Sequence, residues 1–260
     1  MQDPKAYQHV NNMQSRDLEV ILKENSFEWK QKDARIMDVG CGDGSATMGI
    51  WKKHISESFM IIVGSDKSQA CVNFAKKNYE GEKVKFITLD IEGQIPDDLK
   101  GCFDHVVSNY VFHWVQRQEK GFSNIYDMLA KEGKCLLIFL GNCNCYENYR
   151  TLSRTTKWNS YLKDVKTKLL SPYHDSQASD PQIEIRSLMR KIGFRDINIQ
   201  VQNLSFDFER GIDEFRDLMK CLNPFDGLEE KWEDFMDEYV QLDPNAGTII
   251  YQLLVVSGTK

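Results

Sequence analysis

Ile36-Met37-Asp38-Val39-Gly40-Cys41-Gly42-Asp43-Gly44 reads as the end of a buried strand running into a glycine turn. Ala34 to Val39 supplies the strand, and Ser45-Ala46-Thr47-Met48 opens a helix. Glycines at alternate positions let the backbone turn sharply and approach a ligand that a Cβ would hold off. The N–H groups at the helix start can then receive polar atoms of that ligand. A dinucleotide-binding turn would place its third glycine at position 45. Position 45 is serine, the third glycine is Gly44, and Asp38 stands two residues before Gly40.

Downstream, strands alternate with helices. Met60 to Asp66 is an apolar run ending in an acid, the kind of strand a parallel sheet buries on both faces. Ser68 can cap the next helix, with Cys71, Phe74 and Ala75 facing inward. Val84 to Asp90 is the third strand and again ends in an acid. Phe103 to Val107 begins the fourth, which Ser108-Asn109-Tyr110-Val111-Phe112-His113-Trp114 carries past its end. A helix through Ile125 and Leu129 precedes the fifth strand, Cys135 to Leu140. This alternation predicts a doubly wound α/β fold. Ligands bind such sheets outside the carboxyl ends of the strands, where the glycines, Asp66, Asp90 and Ser108–Trp114 all fall.

The flanking segments carry other signals. Residues 7–23 read as one helix with Tyr7, Val10, Gln14 and Asp17 on a single face, either solvated or turned to a site. Residues 143–180 read as an insertion. Trp158, Tyr161, Leu162, Val165 and Leu169 predict an amphipathic helix there, packed on the sheet or serving as a lid. Asp180-Pro181 opens a helix that Gly193 stops. A strand from Ile197 to Phe208, two helices and a last strand from Ile249 to Val256 complete the pattern. We therefore expect one domain over 1–260, with a core at 1–142, a helical cap at 143–180 and a carboxyl-terminal half at 181–260.

Composition narrows the function. The 260 residues carry 41% hydrophobic and 28% charged side chains, as a globular protein does. A net charge of −6 repels phosphate backbones, so nucleic acid is not an expected partner. No run of about 18 apolar residues predicts a membrane span, and the first residues carry no apolar signal region. Seven cysteines without a regular framework suit reduced thiols and a cytoplasmic location. Cys143-x-Cys145 lacks a second ligand pair, so no metal site is expected.

The D-x-G-x-G-x-G form of the turn resembles motif I of class I S-adenosylmethionine (SAM) methyltransferases. Asp66 could accept both ribose hydroxyls and Asp90 the adenine amino group. The candidate cofactor set is Asp38, Gly40, Cys41, Gly42, Gly44, Asp66, Lys67, Asp90, Ile91, Ser108 and Asn109. The N/D-P-P-Y tetrad of amino-methylating enzymes is absent. His113 stands either as a general base or as a histidine that orients Trp114. Tyr7…Asn11…Gln14…Asp17, the glycine turn with Ser45, and Ser108-x-x-x-x-His113-Trp114 resemble the insect juvenile hormone acid O-methyltransferases. That resemblance covers the first 140 residues best. It implies a Rossmann-like class I fold with a mostly parallel seven-stranded sheet. It also implies methyl transfer from SAM to the carboxylate of farnesoic acid or juvenile hormone acid, leaving S-adenosylhomocysteine. It places Gln14 and Trp114 on the substrate carboxylate, and Asp38 and Asp66 in the SAM pocket. A small isoprenoid acid is the expected partner, with a homodimer open. Another carboxylic acid as substrate, a silent SAM- or isoprenoid-binding homologue, and a nicotinamide-dependent dehydrogenase are the alternatives.

Overall fold

The computed structural model describes residues 3–25, 27–174, 180–243 and 245–260. Met1, Gln2 and residues 175–179 of the expected cap lie outside them. In chain order the strands are β1 Arg35–Val39, β2 Ile61–Asp66, β3 Val84–Thr88, β4 Phe103–Asn109, β5 Leu129–Cys143, β6 Arg195–Asp207 and β7 Thr248–Thr259. The helices are α1 Pro4–Tyr7, α2 Asn12–Glu24, α3 Lys52–His54, α4 Gln69–Tyr79, α5 Gln118–Met128, α6 Asn144–Ser153, α7 Val165–Lys168, α8 Pro181–Ile192, α9 Ile212–Leu222 and α10 Trp232–Leu242. A π-helical turn, Thr47–Trp51, leads into α3.

The seven strands form one sheet in the order β3-β2-β1-β4-β5-β7-β6. The first five run parallel, and β7 lies antiparallel between β5 and β6. This is the expected Rossmann-like class I arrangement. Its strand order reverses between β1 and β4, which opens a crevice at their carboxyl ends. Two apolar cores cover the sheet. One gathers α2, the π turn, α6, α9 and α10; the other gathers α5 and α8.

Several expected boundaries move. The helix expected over 7–23 is broken at residues 8–11, because Asn11 leaves helical geometry (φ −90°, ψ 24°) as the cap of α2. Gln14 and Asp17 face inward, 5% and 2% exposed, so that face is not solvated. In α4 the inward residues are Cys71, Val72 and Ala75, while Phe74 is half-buried. The amphipathic helix expected over 158–169 does not form. Among its described residues the insertion instead begins with α6, turns repeatedly through 154–164, and then makes only the short α7. Trp158, Leu162 and Leu169 are buried all the same, from successive turns rather than one face.

Candidate active site

A cavity of about 460 Å³ opens over the carboxyl ends of β1, β2, β3 and β4. Its size suits a small-molecule site. Asp38, Asp66, Asp90 and Glu92 lie along the strand edge, with Gly40, Cys41 and Gly42 between them. Asn11, Gln14 and Ser15 come from the amino-terminal segment, and Asn109, Tyr110 and Trp114 from the end of β4 and the turn after it. Thr167 and Lys168 of α7 and Leu222-Asn223-Pro224 complete the wall.

The glycine turn is held from below. Ser65 of β2 accepts from the N–H groups of Gly40 and Cys41 at 2.7 and 2.9 Å. Gly40 has φ +75°, and a Cβ there would come within 2.1 Å of Val111 Cγ2. Gly44 serves packing instead. Its added Cβ would meet Ala75, Tyr79 and Phe86 at 3.0–3.2 Å, and it is not part of the cavity wall. The Asp66 carboxylate accepts from Gly42 N–H at 3.0 Å and Ser68 N–H at 2.8 Å. Lone pairs on both oxygens remain for a ligand's hydroxyls.

Asp38 is 3% exposed and accepts from the Thr47 hydroxyl at 2.6 Å. Burial pushes its carboxyl up to about 7 against that hydrogen bond. Burial also raises Asp43 in the same wall, where Asp43 Oδ2 has no partner. A cavity edge of this kind suits a cationic ligand. Lys67, Ile91 and Cys41 reach the wall as expected. Ser108 does not: its hydroxyl donates to Val39 O at 2.8 Å and ties β4 to β1.

Two successive residues of β4 and its exit grip α2. Asn109 Nδ2 donates to Gln14 O at 3.2 Å. The Tyr110 hydroxyl donates to Asp17 Oδ2 at 2.5 Å, and Tyr251 of β7 donates to the same oxygen at 2.6 Å. Tyr110 does this from a left-handed backbone, φ +58°. The grip leaves the Gln14 amide in the cavity wall with Oε1 unpartnered. Amide oxygen and nitrogen can exchange places by a flip, so either end can face a ligand.

His113 is the sequence candidate the structure sets apart. It is 4% exposed, does not line the cavity, and its Nδ1 receives Leu140 N–H at 3.5 Å. Burial pushes its imidazole down to about 3, so it stays neutral at physiological pH. Its ring leans on Trp114, centroids 5.2 Å apart. Sequence reasoning missed Trp51, which reaches the cavity from the π turn. An indole on an amphipathic helix looks like core, and only the π geometry, invisible in the sequence, distinguishes it.

Residues 37–137 match the family described as Methyltransferase domain. Juvenile hormone acid O-methyltransferase of Bombyx mori is 38% identical over 244 residues, covering 93% of this chain and 86% of that protein. The chain belongs to the juvenile hormone acid O-methyltransferase family. The Drosophila melanogaster member is 35% identical over 253 residues, covering 93% of this chain and 82% of its own. The YcgJ protein of Bacillus subtilis, 17% identical, shares the fold with a TM-score of 0.59 over 94% of this chain and 98% of its own. The protein is thus a SAM-dependent O-methyltransferase. The residues fit that cofactor: a glycine turn with backbone exposed to the cavity, and strand-end acids suited to hydroxyls, an amino group and a sulfonium.

Proposed function

We propose that the protein methylates the carboxylate of an isoprenoid acid of the farnesoic or juvenile hormone acid type. The observation that carries this reading is the buried Gln14 side chain, set in the same cavity as the strand-end acids with its amide oxygen unpartnered and its amide free to flip a donor toward a ligand. An amide hydrogen-bonds a carboxylate without neutralising it. A lysine there would favour the charged ground state over a transition state in which charge is fading.

The cofactor supplies an electrophilic methyl group; the chain supplies binding, orientation and dryness. Asp66 holds the ribose hydroxyls, Asp90 the adenine amino group, and Asp38 with Gly40–Gly42 the amino acid end. Gln14 and Trp114 hold the acid. A carboxylic acid with a pKa near 4–5 is already ionised at pH 7, so no base is needed. Positioning of two reactants contributes roughly 7–11 kcal/mol of such a barrier. His113 keeps Trp114 in place and moves no proton, so kcat/KM should show no limb near pH 6.5 that His113→Phe removes. The protein acts in the cytoplasm on a free small molecule and not on nucleic acid, as a monomer or homodimer. It works as one domain, with the described residues of the 143–180 segment capping the 1–142 core through Thr167 and Lys168.

The test is transfer of labelled methyl from SAM to a panel of acids. Isoprenoid acids should be turned over at the highest kcat/KM. Faster turnover of a short or straight-chain fatty acid favours that class instead, and methyl transfer to none of the panel overturns the carboxylate reading.

A further inference from the structure

Trp51 has a donor with nothing to donate to. Its side chain is 1% exposed and lines the cavity, yet the indole Nε1–H has no hydrogen-bond partner. A buried donor left unpaired bears the full cost of losing water, and folded proteins avoid it. This chain avoids it at Trp158, equally buried, whose Nε1 donates to Glu238 at 2.7 Å. Tyr146 and Arg216 also bury an unpartnered donor, but among these Trp51 alone lines the cavity, where a ligand can supply the acceptor.

Its position is built. Thr47, the first residue of the π turn, is fixed by its hydrogen bond to Asp38, and Trp51 is the last. A π turn inserts one residue into an α-helical ladder, and such turns concentrate at functional sites. One side of the indole rests on Trp29, edge to face with centroids 6.2 Å apart. The turn also packs against α2, the helix that carries Gln14.

The cavity wall carries both kinds of hydrogen-bonding group. The strand edge offers carboxylate acceptors at Asp38, Asp66 and Asp90, matched to the donors a nucleoside cofactor brings. The Gln14 amide and the indoles of Trp51 and Trp114 offer donors. An acid substrate brings only acceptors: its carboxylate oxygens and any ether-type oxygen on its tail. We propose that the Trp51 indole N–H donates to an oxygen of the acid substrate, making Trp51 a substrate-contact residue beside Gln14. This rests on the carboxylate-methylation reading above.

The experiment uses the full chain with two changes at one site. Trp51→Phe keeps a ring against Trp29 and removes the N–H. Replacement of Trp51 by 3-benzothienylalanine keeps both rings and removes only the N–H. Each is assayed with two acids, an unoxygenated isoprenoid acid and its distal epoxide, beside SAM affinity by calorimetry. KM should rise in both variants with SAM affinity unchanged, about tenfold where the acceptor is the charged carboxylate and severalfold where it is a neutral tail oxygen. A rise for both acids places the N–H on the carboxylate; a rise for the epoxide alone places it on the tail oxygen. Wild-type KM for both acids in the benzothienyl variant overturns the proposal and makes Trp51 ordinary core. Loss of SAM affinity instead assigns the donor to the cofactor and also overturns it. No turnover of either acid by the wild type overturns the substrate reading, and this assignment with it.

Discussion

Replacing Gln14 by alanine should lower kcat/KM for an isoprenoid acid by about one to two decades, because one hydrogen bond to a charged group is worth roughly 1.5–3 kcal/mol. SAM affinity should change far less. Gln14→Glu should be worse than alanine, since it sets a second carboxylate against the first; wild-type activity in that variant would remove Gln14 from the substrate. Asp38 gives a pH signature. Its folded pKa near 7 lies above the ordinary 3.8, so the folded protein keeps a proton that the unfolded chain has released between those values. Stability should therefore fall as pH rises from about 4 to 7, the unfolded state binding fewer protons there. Asp38→Asn should flatten that part of a plot of Tm against pH; an unchanged slope would mean the carboxyl ionises normally. Gly40 and Asp38 were legible in the sequence because their chemistry is local. A left-handed turn needs glycine, and an acid at a strand end points to the crevice. Ser108 and Gly44 sat in the same motifs but spend their atoms on packing, which spacing alone does not separate from binding.

At the level of elements, α2 owes its place to Asp17. Two tyrosine hydroxyls converge on one carboxylate oxygen while Arg16 donates to the other at 2.8 Å. Tyr251 lies outside the cavity wall, so Tyr251→Phe tests the grip without touching a ligand. It should cost about 1 kcal/mol in urea unfolding and raise KM for the acid with SAM affinity nearly constant. Equal changes in both affinities would mean that the grip serves the fold in general. The helix opened at Asp180-Pro181 and the two after it form as expected as α8, α9 and α10, burying Ile185/Met189, Phe215/Leu218/Met219 and Trp232/Phe235/Met236/Tyr239. Periodicity misleads at 158–169, where turns wrapped over one core, with only the four-residue α7 helical, bury residues at helical spacing. It also ran α1 and α2 together, because the Asn11 break is anchored from afar: its side chain donates to Ser45 at 3.2 Å.

Across the whole molecule, the cavity wall draws on the amino-terminal segment, the glycine turn, α7 and the stretch after α9. A ligand seated there ties these parts together, and binding to the folded state alone stabilises by about 2.7 kcal/mol at a hundredfold excess over Kd. SAM should accordingly raise Tm, and Asp66→Ala should lower the apo Tm and shrink the ligand-induced shift. A full shift in that variant would move the ribose elsewhere. The order of strands has a further consequence. β7 is the last of the described strands in chain order, yet it lies inside the sheet, between β5 and β6, and it carries the Tyr251 that secures α2. During synthesis the long apolar edge of β5 must wait until residues 144–247 have been added, roughly 5–20 s at 5–20 residues per second. Through that interval a nascent chain has its cofactor turn complete and its sheet open. Chaperone depletion during synthesis should therefore lower the yield of folded enzyme while leaving the stability of the finished protein unchanged.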